Sequence, residues 1–175
     1  MIYILKHSSC FRSFIIGYSE YCGSSDSLDF HLATKLSLSR YLVWLDINRC
    51  QLSTICFVRY LPKRELLNVT DCRNLYDVDF QVISKCMQLE QLYLSFSKIS
   101  ARRVIDIARN LKGLIFLDVV GLKLTLLEAR EILDLCHRTL TGFYLSLATD
   151  IAQDNCYSQV GIYLHFSFYT DTTWL

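Results

Sequence analysis

The chain has 175 residues, 52% of them apolar and 20% charged, with 18 Lys and Arg against 17 Asp and Glu. That length suits one domain with a sizeable core, and the composition argues against general disorder. A net charge of +1 gives no electrostatic ground for nucleic acid or an anionic membrane as a partner.

Residues 1–41 read as a poorly defined N-terminal segment or cap. Ile2-Tyr3-Ile4 and Phe14-Ile15-Ile16 suit short strands, and Gly23-Ser24-Ser25 is a break. Leu28, Leu32, Leu36 and Leu38 allow one helix beginning at Asp26. Lys6, Arg12 and Glu20 interrupt the apolar run from Met1 to Cys22, so a signal peptide is not expected. No stretch is apolar over the roughly 18 residues needed to span a bilayer.

From 42 to 147 the sequence repeats itself. The first member of an apolar pair recurs at Leu45, Leu67, Leu92, Leu117 and Phe143, at intervals of 22, 25, 25 and 26 residues. Its partner two places on is Ile47, Val69, Leu94, Val119 and Leu145, and Leu42, Leu89, Leu114 and Leu140 stand three places before. Alternation of period two marks a strand with one buried side. Segments with helical spacing follow: Phe80, Ile83 and Cys86; then Val104, Ile107, Ala108 and Leu111; then Ala129, Ile132, Leu133 and Cys136. Asp77 and Ser100 are expected N-caps of the first two helices, and Thr125-Leu126-Leu127-Glu128 reads as a capping box opening the third. The first repeat is shorter, and Pro62 disfavours a full helix near its end.

Neither the strand face nor the helix stripe of one unit can be buried alone, but stacking the units buries both. Self-similarity at this period predicts an α/β leucine-rich-repeat solenoid of about four or five repeats, with parallel strands on the concave face and helices on the convex face. Residues 148–175 form a C-terminal segment in which Ile162, Leu164, Phe166 and Phe168 alternate, as in one last strand closing the stack.

The eight cysteines include no Cys-x-x-Cys. Cys50 and Cys72 each lie three residues past a strand's last core position, and Leu111 stands midway between Cys86 and Cys136 at the same repeat position. A position that takes either cysteine or leucine uses the thiol as a small hydrophobe, so reduced cysteines and a cytoplasmic or nuclear location are expected.

These units resemble the cysteine-containing class of leucine-rich repeat found in F-box/leucine-rich-repeat proteins. Leu67-Asn68-Val69-Thr70-Asp71-Cys72 matches the strand with its cysteine, Leu75-Tyr76-Asp77 the turn, and Cys86-Met87-Gln88-Leu89 the helix end. Leu89-Glu90-Gln91-Leu92-Tyr93-Leu94 with Ile107-Ala108-Arg109-Asn110-Leu111 repeats the pattern, while Ser97 and Leu122 replace the strand cysteine. The resemblance implies substrate recognition related to SCF-type ubiquitin ligases, with ubiquitin-ligase components among the partners. Leu61-Pro62-Lys63-Arg64-Glu65-Leu66-Leu67 has only a superficial likeness to an F-box opening, because Leu67 and Val69 are already in phase as repeat core.

Residues between the core positions form rows across the strands. Trp44, Asp46, Asn68, Gln91, Tyr93, Phe116, Asp118 and Tyr144 are the candidate partner-binding residues, because aromatic anchors dominate binding energy. The competing interpretation is that Phe116 and Val120 pack on neighbouring strands or on a folded-over tail, and that Tyr93 and Tyr144 are cross-strand pairs. No catalytic residue, metal or cofactor is expected. Cys136 and His137 are helix neighbours pointing about 100° apart, and His7, His31, His137 and His165 show no paired ligand spacing. Arg102, Arg103, Arg109 and Lys112 suit a solvated helix face. The expected function is a non-catalytic protein-binding module. The alternative is a structural or assembly scaffold with no ubiquitin link.

Overall fold

A computed structural model describes residues 12–15, 41–56, 58, 65–147 and 161–165. The elements run β1 (Ser13–Ile15), β2 (Trp44–Asp46), β3 (Leu66–Asn68), a 3-10 helix (Asp79–Lys85), β4 (Gln91–Tyr93), α1 (Ala101–Asn110), β5 (Phe116–Leu124), α2 (Leu126–Cys136), β6 (Gly142–Leu147) and β7 (Gly161–His165). The strands form one sheet in sequence order, parallel from β1 to β6, with β7 antiparallel to β6. Parallel neighbours need long crossover connections, and here the 3-10 helix, α1 and α2 lie on those connections, with α1 packed beside both of the others.

The register follows the apolar repeat. Leu45, Leu67, Leu92, Leu117 and Phe143 are consecutive Cα partners, and all five are fully buried. Ile47, Val69, Leu94, Val119 and Leu145 form a second buried column. Against these columns lie Phe80, Ile83 and Leu89, then Val104, Ile107 and Leu111, then Ala129, Ile132 and Leu140.

The strands are short, but the backbone ladder continues beyond them. Ile47, Val69 and Leu94 donate their N–H to the carbonyls of Asn68, Tyr93 and Asp118 (2.8–3.0 Å), and Arg49, Asp71 and Phe96 to those of Thr70, Ser95 and Val120 (2.8 Å each). Each unit then turns through a left-handed residue at the same phase: Arg49, Asp71, Phe96 and Gly121, with φ of 55°, 54°, 57° and 81°. Three of these are not glycine, and each costs of order 1 kcal/mol or more of backbone strain. The N–H bond that Arg49, Asp71 and Phe96 each make to the next strand offsets that strain.

The helix starts hold at two of three places. Ser100 caps α1 by accepting from Arg103 N–H (3.2 Å), and Thr125 with Glu128 forms the complete capping box of α2. Asp77 does not cap. Its carboxylate accepts from Ser100 N–H (2.8 Å) in the following unit, and Val78, which stands at the helix start, makes no side-chain cap bond. Uncapped and rich in β-branched and short polar residues, Asp79–Lys85 forms a 3-10 helix rather than an α-helix.

At both ends the sheet extends past the repeated region. β1 lies within the N-terminal segment and pairs with β2, so the sheet starts before residue 42. The expected last strand is present over Gly161–His165, but it runs back against β6 as an antiparallel partner and does not stack as a further parallel unit. The expected helix from Asp26, the strand at Ile2–Ile4, Pro62, Phe166 and Phe168 lie outside the described residues.

Candidate functional site

Five strands present the side of the sheet opposite the core. Along one row Asp46, Asn68, Tyr93, Asp118 and Tyr144 are successive register partners, and Trp44, Leu66, Gln91, Phe116 and Gly142 form the row beside it. All eight candidate residues therefore lie on one face. Trp44 is 46% exposed and the other seven are half-buried.

Three of the candidates touch. The Tyr93 and Phe116 rings lie 4.8 Å apart between centroids, and those of Phe116 and Tyr144 5.0 Å apart, both tilted. This is the spacing of favourable aromatic pairs, each contributing about 0.5–1.5 kcal/mol beyond area burial. The rings pack across strands, as the competing interpretation expects of Phe116, and they remain half-exposed. Phe116 leans over Gly142, where a Cβ would stand 2.7 Å from its Cδ2. Glycine there makes room for the ring, a role the repeat pattern alone did not show. Its signal was a glycine inside a strand. Trp44 stands apart, with Leu66 and Gln91 between it and Phe116 in the row.

The polar members are fixed by their own backbone. Asp46 Oδ1 accepts from the N–H (3.0 Å) and Nδ2 (2.6 Å) of Asn48, and Asn68 Oδ1 from Thr70 N–H (3.0 Å). Asp118 Oδ1 accepts from Val120 N–H (3.1 Å) and from the Ser95 hydroxyl. Each is a local side-chain-to-backbone turn, so these residues shape the strand ends as well as face outward. Gln91 Oε1 lies 3.4 Å from the Tyr93 hydroxyl. Burial raises the Tyr93 pKa, and Asp118, Tyr144 and Asp46 push it the same way.

The remaining constellations have other partners. His137 Nδ1 lies 2.7 Å from the Asp134 carbonyl in its own helix, while Cys136 Sγ points to the Ala108 carbonyl at 3.8 Å and burial raises its pKa. Arg109 pairs with Asp106 and Glu131, and Arg103 with Asp77 and Asp106, so much of the basic helix face is matched by carboxylates. Among the described residues no three His, Cys, Asp or Glu side chains are placed to hold a metal ion. No described helix is long and apolar enough to cross a membrane.

No protein-family model matches the chain, and no curated protein matches it.

Proposed function

We propose that the chain is a leucine-rich-repeat solenoid whose concave sheet face captures a protein partner without catalysis. The recurrence of the register, the left-handed turn and the buried strand column at the same interval supports the solenoid. The observation that carries the function is the half-exposed Tyr93–Phe116–Tyr144 ladder on a face otherwise lined by fixed polar groups. Large rings whose polar neighbours are already locked lose little entropy on binding, which is how aromatic anchors come to dominate interfaces. The resemblance to F-box/leucine-rich-repeat proteins extends this reading to substrate recognition for an SCF-type ubiquitin ligase inside the cell.

The test is a tagged pull-down with mass spectrometry, run beside a Tyr93→Ala variant. A buried anchor contributes about 2 kcal/mol or more, roughly a thirtyfold change in affinity, so the expected result is one defined partner lost from the variant. Cullin and adaptor among the recovered proteins would support the ligase role. A defined complex without them would replace it with an assembly scaffold. Equal capture by wild type and variant would remove the concave face as the binding site.

A further inference from the structure

From β2 to β6 the charge on this face is one-sided. Three rows across five strands, at 44, 46 and 48 and their register equivalents, carry Asp46 and Asp118 and neither lysine nor arginine. Arg49, three residues beyond Asp46, is drawn to Asp71 at 3.8 Å. Both carboxylates are fixed in place, because Oδ1 of each accepts the turn bonds described above. Asp118 stands in register between Tyr93 and Tyr144, with the Phe116 ring against both tyrosines.

A fixed, half-buried carboxylate in register between two aromatic residues suits one chemistry. A planar guanidinium donates to the carboxylate and stacks on the rings, combining a charge-assisted hydrogen bond with cation–π attraction. An ammonium can make the first contact but stacks less well, and an anion is repelled. Three strand steps separate Asp46 from Asp118, about 14 Å at about 4.8 Å per step, close to the span of four residues of extended chain.

We propose that the partner segment bound on this face is basic and places an arginine against Asp118 between Tyr93 and Tyr144, with a second cation near Asp46. The inference rests on the reading of this face as a docking surface and specifies what docks there. The same two carboxylates disfavour nucleic acid as the occupant by like-charge repulsion.

The probe is a fluorescent nonapeptide with two arginines four residues apart in a glycine–serine background, titrated by anisotropy against the full chain. Its control carries citrulline at both positions, which keeps the shape and removes the charge. The arginine peptide should bind at least about tenfold more tightly than the citrulline peptide, and the difference should shrink with added salt. Asp118→Asn, which retains an oxygen acceptor for the turn, should weaken the arginine peptide about threefold to fivefold, and Asp46→Asn tests the second contact without touching the aromatic ladder. Equal affinity for the two peptides, or no effect of either variant, would overturn the proposal. If the arginine peptide fails while Tyr93→Ala still releases the partner in the pull-down, the face binds some other chemistry and only this inference falls. If both fail, the docking reading falls with it.

Discussion

At the residue scale, one position shows how a thiol and a hydroxyl serve the same turn. Cys72 Sγ donates to the Ile47 carbonyl (3.1 Å), and Ser97, at the equivalent place in the next unit, donates its hydroxyl to the Val69 carbonyl (3.2 Å). Cysteine at this phase is therefore a donor as well as the small hydrophobe its spacing suggested. Burial pushes the Cys72 pKa up from 9.0 to about 11. The unfolded thiol ionises first, so the stability this group contributes is complete below about pH 9 and is lost as the pH rises toward 11. The loss should reach up to about 3 kcal/mol, measured as denaturant midpoint against pH, and Cys72→Ser should fold and remove that component. Gly142→Ala belongs to the same scale. Its new methyl meets a half-exposed ring that can swing away, so stability should change by no more than about 1 kcal/mol. Partner capture should fall about tenfold as the ladder opens.

At the element scale, capping separates α-helix from 3-10 helix. α1 and α2 each begin with a side chain that accepts from their own first turn, and both are α-helical over 10 and 11 residues. The equivalent segment after Asp77 has comparable apolar spacing but begins without that bond, because Asp77 serves Ser100. Burial raises the Asp77 pKa, but the Ser100 bonds and Arg103 outweigh it and hold the carboxyl below its ordinary value. The bond that caps nothing in its own unit thus ties that unit to α1. Thr125→Ala removes the hydroxyl that accepts from Glu128 N–H and leaves the backbone N–H bond to Glu128 in place, and it should cost about 1 kcal/mol, seen as a lowered denaturant midpoint with unchanged slope.

At the scale of the whole molecule, strands of three residues at β2, β3 and β4 are stabilised by their neighbours. Each column residue is buried and lies in register with its equivalents on the neighbouring strands; if the chain is the solenoid proposed above, stability is approximately a sum of nearest-neighbour interfaces. The end unit lacks a neighbour on one side, and β7 meets that need by pairing antiparallel along β6 from Gly142 to Ser146. Truncation after residue 147 would leave the β6 edge unpaired, and open sheet edges template association. The truncated chain should scatter light and elute as larger species at concentrations where the full chain does not.

The repeat of apolar pairs was enough to place the two buried strand columns and their register from β2 to β6, because a two-residue period leaves one face for the core and a shift of one residue would expose it. Two of the three helix starts were equally plain, since Ser100 and the Thr125–Glu128 pair act on backbone a few residues away. What escaped the sequence depends on partners about 25 residues distant. Asp77 is an apparent cap diverted to the next unit, Arg49, Asp71 and Phe96 take a left-handed conformation no glycine announces, and β7 reverses direction. The candidate face divides in the same way. Its members and their rows followed from alternation along each strand, whereas the contact of Tyr93, Phe116 and Tyr144 and the locking of Asp46 and Asp118 through Oδ1 were decided by tertiary structure. Pattern fixes which way a side chain points, but only the packed neighbours determine what it meets.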